Sequence, residues 1–304
     1  MIESWSNVLL LAVIFDVLFG EPPAYLHPVV WMGKIINLFV GFAPRNYRKI
    51  YGFFMVFFCV GITVLIAYAL ELTVTGISAI IIAAYFLKSS FSIRMLLVSA
   101  SGIQKDLEIG NIEKVRRDLK TFVGRDTLQL NTHQSASAVI ESLAESFVDG
   151  ILAPLFYFLL FGLPGALAYR MINTLDSMVG YKKEPFAQLG YAAARIDDLV
   201  NFVPARLSLI FIFVLSIFFG KPRDAIRTCM LDHNKTSSPN SGWSMAAVSG
   251  SLNVRLEKIG YHVLGSNYSD PEPFHIQKAI NLVGFSSFLV IAGIYLSGKI
   301  PLVG

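Results

Sequence analysis

The chain has 304 residues, of which 54% are hydrophobic and only 15% charged, with a mean hydropathy of +0.59. A soluble domain carries about a quarter charged residues, so this composition excludes an ordinary soluble protein and implies a polytopic membrane one. The net charge of +4 is spread over separate loops rather than along a stripe of basic and aromatic residues, which argues against nucleic-acid binding. Cys59 and Cys229 form no CxxC motif, so neither a disulfide framework nor a thiol metal site is expected.

Residues 7–20 are apolar but short and contain Asp16. With Glu3 ahead of them they read as a marginal first span and not as a cleaved signal peptide. The stretches 51–70, 74–98, 201–219 and 282–298 each approach the roughly 20 residues that cross a bilayer. Arg45, Arg48 and Lys49, and later Lys105, Lys114, Arg116, Arg117 and Lys120, place their loops on the cytoplasmic side by the positive-inside rule. The region 102–150 reads as cytoplasmic helices. Asn111 is the N-cap of one in which Ile112, Val115, Leu119 and Phe122 recur at helical spacing, with Gly124 as C-cap. A second starts near Asn131, with Gln134 in capping-box position.

Residues 151–169 are punctuated by Pro154, Gly162, Pro164 and Gly165, so a span, a broken helix and a re-entrant segment all fit. The loop that follows poses a conflict. Two flanking spans would put 170–200 outside, while Arg170, Lys182, Lys183 and Arg195 pull it inside. A midplane or inner-leaflet site built from interrupted helices resolves this, because irregular backbone is tolerated where it lines a protein cavity. No repeat of 20–50 residues and no low-complexity linker divides the chain. The expectation is an all-α, polytopic integral membrane protein with cytoplasmic helical loops. It forms one membrane-embedded domain, 1–304, with polar regions at 99–150 and 221–280.

The chemistry concentrates in 139–206. Glu141, Glu145 and Asp149 fall four residues apart, along one face of a helix, while Val139, Leu143 and Phe147 turn to the opposite face to pack. Together with Asp176, Asp197 and Asp198 they are oxygen ligands of the kind Mg²⁺ prefers when it bridges to phosphates. Arg125, Arg170, Arg195 and Arg206 have the forked donors that hold phosphate. Any single pair reads better as a structural staple; the density of the set in an apolar context points to function. Asp197, Asp198 and Asn201 form DDxxN, with Asp197 and Asn201 on one helix face, similar to Mg²⁺–diphosphate motifs of membrane prenyltransferases. Asn173 and Asp176 share a face in the same way, Asn173 serving this site, a buried helix cap or an Asx turn. The run from Thr236 to Gly242, with Ser238 and Asn240, is either a plain turn or a loop presenting N–H groups to an anion. The five histidines lack paired-ligand spacing, and no P-loop, GxGxxG or GxSxG occurs.

Several blocks then carry a family likeness: Asp16 with GEP at 20–22, HPVVWMGK at 27–34, VGRDTLQL at 123–130 and VIESLAESFVDGILAPLFY at 139–157. YRMINTLDSMVGYK at 169–182, ARIDDLVNFVPARLS at 194–208 and SSPNSGWS at 237–244 continue it. Through these the chain resembles the CobD/CbiB family of cobalamin-biosynthesis membrane proteins, nearly end to end. The resemblance implies an adenosylcobinamide-phosphate synthase of the cell membrane, using ATP and Mg²⁺. It would join the carboxylate of a corrinoid, adenosylcobyric acid, to aminopropanol or its phosphate. On that reading the six acids above are catalytic, with Asp197 and Asp198 holding Mg²⁺. Arg125, Asn173, Lys182, Arg195, Asn201, Arg206, Ser238 and Asn240 bind substrate or phosphate. The chain departs from the family pattern at Glu21 (usually Asp), Ser146 (Asn), Met245 (Glu) and Glu257-Lys258 (Gly-Gly). Two other readings compete: a Mg²⁺-dependent membrane prenyltransferase, which would need a second Asp-rich motif, and a non-enzymatic sensor or transporter resembling the AmpE proteins.

Overall fold

The computed structural model describes residues 5–124, 126–181 and 183–297. Helices α1 (Trp5–Phe19), α2 (Pro28–Gly41), α3 (Arg48–Thr73), α4 (Gly76–Ser90), α5 (Ile93–Glu108), α6 (Ile112–Phe122) and α7 (Thr132–Phe147) lead into α8 (Ala153–Val179). Then come α9 (Tyr191–Val200), α10 (Phe202–Phe219), α11 (Pro222–Asp232), α12 (Ser241–Leu252), the hairpin β1 (Leu256–Lys258) and β2 (His262–Leu264), and α13 (Pro273–Ser297). The chain is a multi-pass membrane protein. Its described residues contain five helical runs long and apolar enough to cross a bilayer: Arg48–Thr73, Gly76–Glu108, Thr132–Val179, Phe202–Phe219 and Pro273–Ser297. The first helix, at 15 residues, falls short of that length.

Local chemistry sets the helix ends. Asn111 accepts from Lys114 N as the N-cap of α6, which stops one residue before Gly124, at an extended Val123 whose N–H still bonds the Leu119 carbonyl. Asn131 and Gln134 form a reciprocal capping box on α7. The ambiguous stretch 151–169 is a broken helix. A π turn at Val148–Leu152 precedes α8, and Gly162 interrupts it at φ 64, ψ −154, a conformation that Gly tolerates and L residues avoid. Pro164 then sits in the first turn of the second half, where its missing N–H does least harm.

Contacts gather into two compact units. The first comprises the described parts of Met1–Ser92, Ala153–Asn201 and Ile291–Gly304. Here α1 packs on α4, and α8 packs against α2, α3, α4 and α9. Leu9, Ile36, Met55, Leu87 and Phe158 are fully buried, with Trp5 edge-on to Phe158. Phe53, Phe54, Phe57, Phe58 and Leu65 on α3 face outward, an apolar surface suited to lipid tails. The second unit comprises Ile93–Leu152 and Phe202–Val290. Its α12 is rich in Ser, Ala and Gly and buried along nearly its whole length, which lets α11 approach closely: a Cβ on Gly250 would overlap the Asp224 carbonyl. The hairpin pairs Leu256 with Leu264 and lies on α7.

Candidate functional site

In the first unit, the half of α8 beyond Gly162 carries Tyr169, Arg170, Asn173 and Asp176. Just past it, the Gly180 N–H bonds the Asp176 carbonyl (2.7 Å). The start of α9 can press against that end only because residue 190 is glycine; a Cβ there would overlap the Val179 carbonyl. This juxtaposition brings Asp197 and Asp198 to Asp176 and Asn173.

Asn201, the C-cap of α9, organises the cluster. Its Nδ2 donates to Asp197 Oδ2 (3.0 Å), and its Oδ1 accepts from the buried Tyr169 hydroxyl (2.9 Å). Tyr169 stacks on Tyr157 at 5.5 Å, and the Tyr157 hydroxyl donates to the Val200 carbonyl (3.0 Å). Asn173 also hydrogen-bonds Asp197. Burial first, and then the Asp176 carboxylate, hold the Asp197 pKa above the usual carboxylate range, against the lowering effect of the two amides. Asp197 Oδ1 is enclosed without a hydrogen-bond partner among the described residues. An unsatisfied buried acceptor costs about 1–3 kcal/mol and more when charged, a deficit that a bound cation removes.

Among the described residues no three His, Cys, Asp or Glu side chains converge to hold a metal by themselves. Mg²⁺ commonly takes one or two carboxylates and completes its shell from water and phosphate, so the pair Asp197 and Asp198 with one orphaned oxygen fits it. Arg170 lies alongside and donates to Asn173 Oδ1 (3.4 Å). Arg195 is exposed, its guanidinium 5.5 Å from the Tyr191 ring, and pairs with no described carboxylate.

The remaining candidates belong to the second unit, apart from Arg125 and Lys182, which lie outside the described residues. Arg206 donates to the Phe202 carbonyl (2.8 Å) and to Asn240 Oδ1 (2.9 Å), with its guanidinium over Phe202 and Trp243. Asn240 N donates to Ser238 Oγ (3.2 Å), so the hydroxyl-rich loop is a turn that launches α12.

Glu141 and Glu145 keep their four-residue spacing on α7, but the two differ in their surroundings. Glu141 is buried, accepts from Ser137 Oγ (2.9 Å) and lies 3.5 Å from His262 Nε2, because the β1–β2 hairpin covers this side of α7. Ser137 Oγ also accepts from Glu257 N (2.8 Å), fastening the hairpin to the helix. Glu145 is exposed, and Asp149 lies beyond α7, in the π turn.

The family model described as CobD/Cbib protein matches residues 9–283. The chain belongs to the CobD/CbiB family. A Dehalococcoides mccartyi protein described as cobalamin biosynthesis protein CobD is 43% identical over 284 residues, covering 91% of this chain and 92% of that one. Proteins described as probable cobalamin biosynthesis protein CobD from Methanothrix thermoacetophila and Methanothermobacter thermautotrophicus are each 39% identical. They cover 91% and 94% of this chain, and 92% and 94% of their own lengths. No solved structure matches.

One cluster of this CobD/CbiB chain escaped sequence reasoning. Lys88 is buried near the end of α4, 3.0 Å from Asp16 and 2.7 Å from Glu21. Glu21 also meets His27 Nε2 (3.0 Å) and accepts from Ser92 Oγ (2.5 Å). Burial alone would raise the Glu21 pKa, but the His27, Lys88 and Ser92 hydrogen bonds together lower it to about 2. The signal was available: Asp16 and Lys88 are opposite charges, each inside an apolar run, and such charges pair. Among the CobD/CbiB departures, Glu21 keeps a carboxylate in this network, and Met245 is buried in α12, where it serves packing.

Proposed function

We propose that this protein condenses the carboxylate of adenosylcobyric acid with aminopropanol or its phosphate, consuming ATP with Mg²⁺. A role in cobalamin biosynthesis follows from membership of the CobD/CbiB family. The observation that carries the finer reading is the Asp176–Asp197–Asp198 cluster: carboxylates crowded together at a helix end, one oxygen unsatisfied, held by two amides and a tyrosine pair. A carboxylate and an amine do not condense unaided. Transfer of the γ-phosphoryl group to the corrinoid carboxylate gives an acyl phosphate and ADP. The amine then attacks the carbonyl carbon, and inorganic phosphate and a proton leave.

Asp197 and Asp198 are the residues that would hold Mg²⁺, which supplies charge neutralisation for the transferring phosphoryl group. Asn201 and Tyr169 keep Asp197 Oδ2 aimed, so this preorganisation does not have to be created during the reaction. Arg170 and Arg195 offer forked donors to phosphate oxygens from the same unit. The test is Asp198→Asn assayed across a Mg²⁺ titration, with corrinoid binding followed in parallel. Impaired turnover, a raised Mg²⁺ requirement and intact corrinoid binding are expected; unchanged Mg²⁺ dependence with lost corrinoid binding would sink the metal role.

The membrane is the cell membrane, with the basic loops on the cytoplasmic side. Cysteines at the exposed positions Lys49 and Lys120, in a background lacking the buried Cys59 and Cys229, should resist impermeant thiol reagents in intact cells and react after lysis. Ready labelling of intact cells at Lys120→Cys overturns that orientation.

A further inference from the structure

Within the first unit two helices carry stripes of the same kind. On α3, Lys49, Phe53 and Phe57 follow at four-residue spacing and so share a face. On α9, Tyr191, Arg195 and Leu199 do the same. All six side chains are exposed. The stripes meet at Tyr191. Its ring lies 6.4 Å from the Phe53 ring, with Lys49 Nζ 3.9 Å and the Arg195 guanidinium carbon 5.5 Å from its centroid. Backbone packing fixes this meeting: Gly52 lets the segment before α9 approach α3 so closely that a Cβ there would overlap the Leu189 carbonyl.

The positive charge gathered here is uncompensated. Among the described residues neither Lys49 nor Arg195 has a carboxylate or hydrogen-bond partner; each is met by the Tyr191 ring instead. The helix end adds to the imbalance. α3 opens with Arg48 and Lys49, has no acidic residue in its first turn and no side-chain cap at Tyr47, so two cations sit where the helix dipole favours an anion. Like charges held at one ring also repel, and a bound anion relieves both penalties. What lies beside the charges decides which anion. α3 is long and apolar enough to cross a bilayer, so Lys49 in its first turn stands at the membrane boundary. Phe57, 84% exposed, lies about 12 Å further along the helix at about 1.5 Å per residue. The stripe therefore runs from a cation at headgroup level to a bare aromatic ring at acyl-chain depth, and a soluble anion would use only its first part.

We infer that this surface binds an anionic phospholipid, its phosphate against Lys49 and Arg195 and an acyl chain along Phe53 and Phe57. Lipid phosphate oxygens accept from the ammonium and from the guanidinium fork, and the aromatic stripe buries against the chain. The inference stands apart from the amide-forming reading. That reading gives Arg195 a soluble phosphate to meet, so lipid binding is measured without ATP or corrinoid, and then with ATP as a competitor.

The experiment is native mass spectrometry of the full-length protein, stripped of lipid in a neutral detergent and titrated with dioleoylphosphatidylglycerol or dioleoylphosphatidylcholine. The glycerol lipid should bind more tightly. Lys49→Gln and Arg195→Gln should each weaken it about fivefold and leave the choline lipid unchanged. Lys49→Arg should keep the wild-type preference, and Phe57→Ser should weaken both lipids. Lys120→Gln, at an exposed cation on α6, should change nothing. Both glutamine variants lie at exposed positions, so their thermal midpoints should match the wild type; if one unfolds, the other carries the test alone. Equal affinity for the two lipids overturns the proposal, as does unchanged binding of the glycerol lipid in the charge variants. So does displacement of the lipid by inorganic phosphate or ATP, which would make the surface a site for a soluble anion. A protein that shows the lipid preference but forms no amide refutes only the reaction.

Discussion

Two acidic clusters of the same unit, both half-enclosed by protein, are handled in opposite ways. Around Lys88 the carboxylates of Asp16 and Glu21 meet a buried cation, and Glu21 is held far below the ordinary carboxylate range. Around Asp197 the nearest partners are amides and other acids, and its pKa is held above that range. In the first arrangement one lysine pairs with both carboxylates, and Glu21 is further hydrogen-bonded by His27 and Ser92. The second leaves an oxygen unsatisfied, and a protein retains such a deficit where a ligand removes it. Charge pairing, more than the number of acids, separates a staple from a site.

The sharpest way to break this comparison is Lys88→Met. Removing one partner of a buried pair leaves uncompensated charge, so a loss of about 3–5 kcal/mol in unfolding free energy is expected. Denaturant titration in detergent measures it. A variant of normal stability that has lost amide formation would instead make the Lys88 cluster part of the catalytic machinery.

Asp197→Asn should do the reverse. Relieving like-charge crowding leaves stability unchanged or improved, while product formation drops by about a hundredfold, a transition-state loss of about 2.7 kcal/mol. If the thermal midpoint falls along with activity, Asp197 is structural and the contrast fails.

A smaller contrast lies on α7. Glu141→Ala strips Ser137 of a buried acceptor and should cost about 1–3 kcal/mol, whereas Glu145→Ala, at an exposed position, should stay within about 0.5 kcal/mol. Equal stability losses would restore a common role for the two acids.

A further contrast is a pH dependence. The folded pKa of Glu21 is depressed from 4.5 to about 2, so its contribution is fully present above pH 4.5 and is lost as pH falls through the folded value. The groups facing it are His27, Lys88 and Ser92, with Asp16 sharing Lys88. Glu21→Gln should flatten the stability curve between about pH 4.5 and 2; an unchanged acid limb would assign that loss to other carboxylates.

The sequence alone determined the class of the molecule. Apolar runs near bilayer length, Asn111 and the Asn131–Gln134 capping box are local signals, because hydropathy and end-capping act within a few residues. It also brought Asp197 and Asn201 onto one face, since four-residue spacing is a property of any helix. Only tertiary structure decided which acids are enclosed. The β1–β2 hairpin, more than a hundred residues along the chain from Ser137, buries Glu141, and Asp149 falls in a π turn beyond the end of α7. Lys88 meets Glu21 across 67 residues, and Tyr169 orients Asn201 across 32. The choice of a broken helix among the three readings of 151–169 likewise needed the φ of 64 at Gly162. Burial and pairing depend on which distant segments pack together, and helical periodicity carries no information about that.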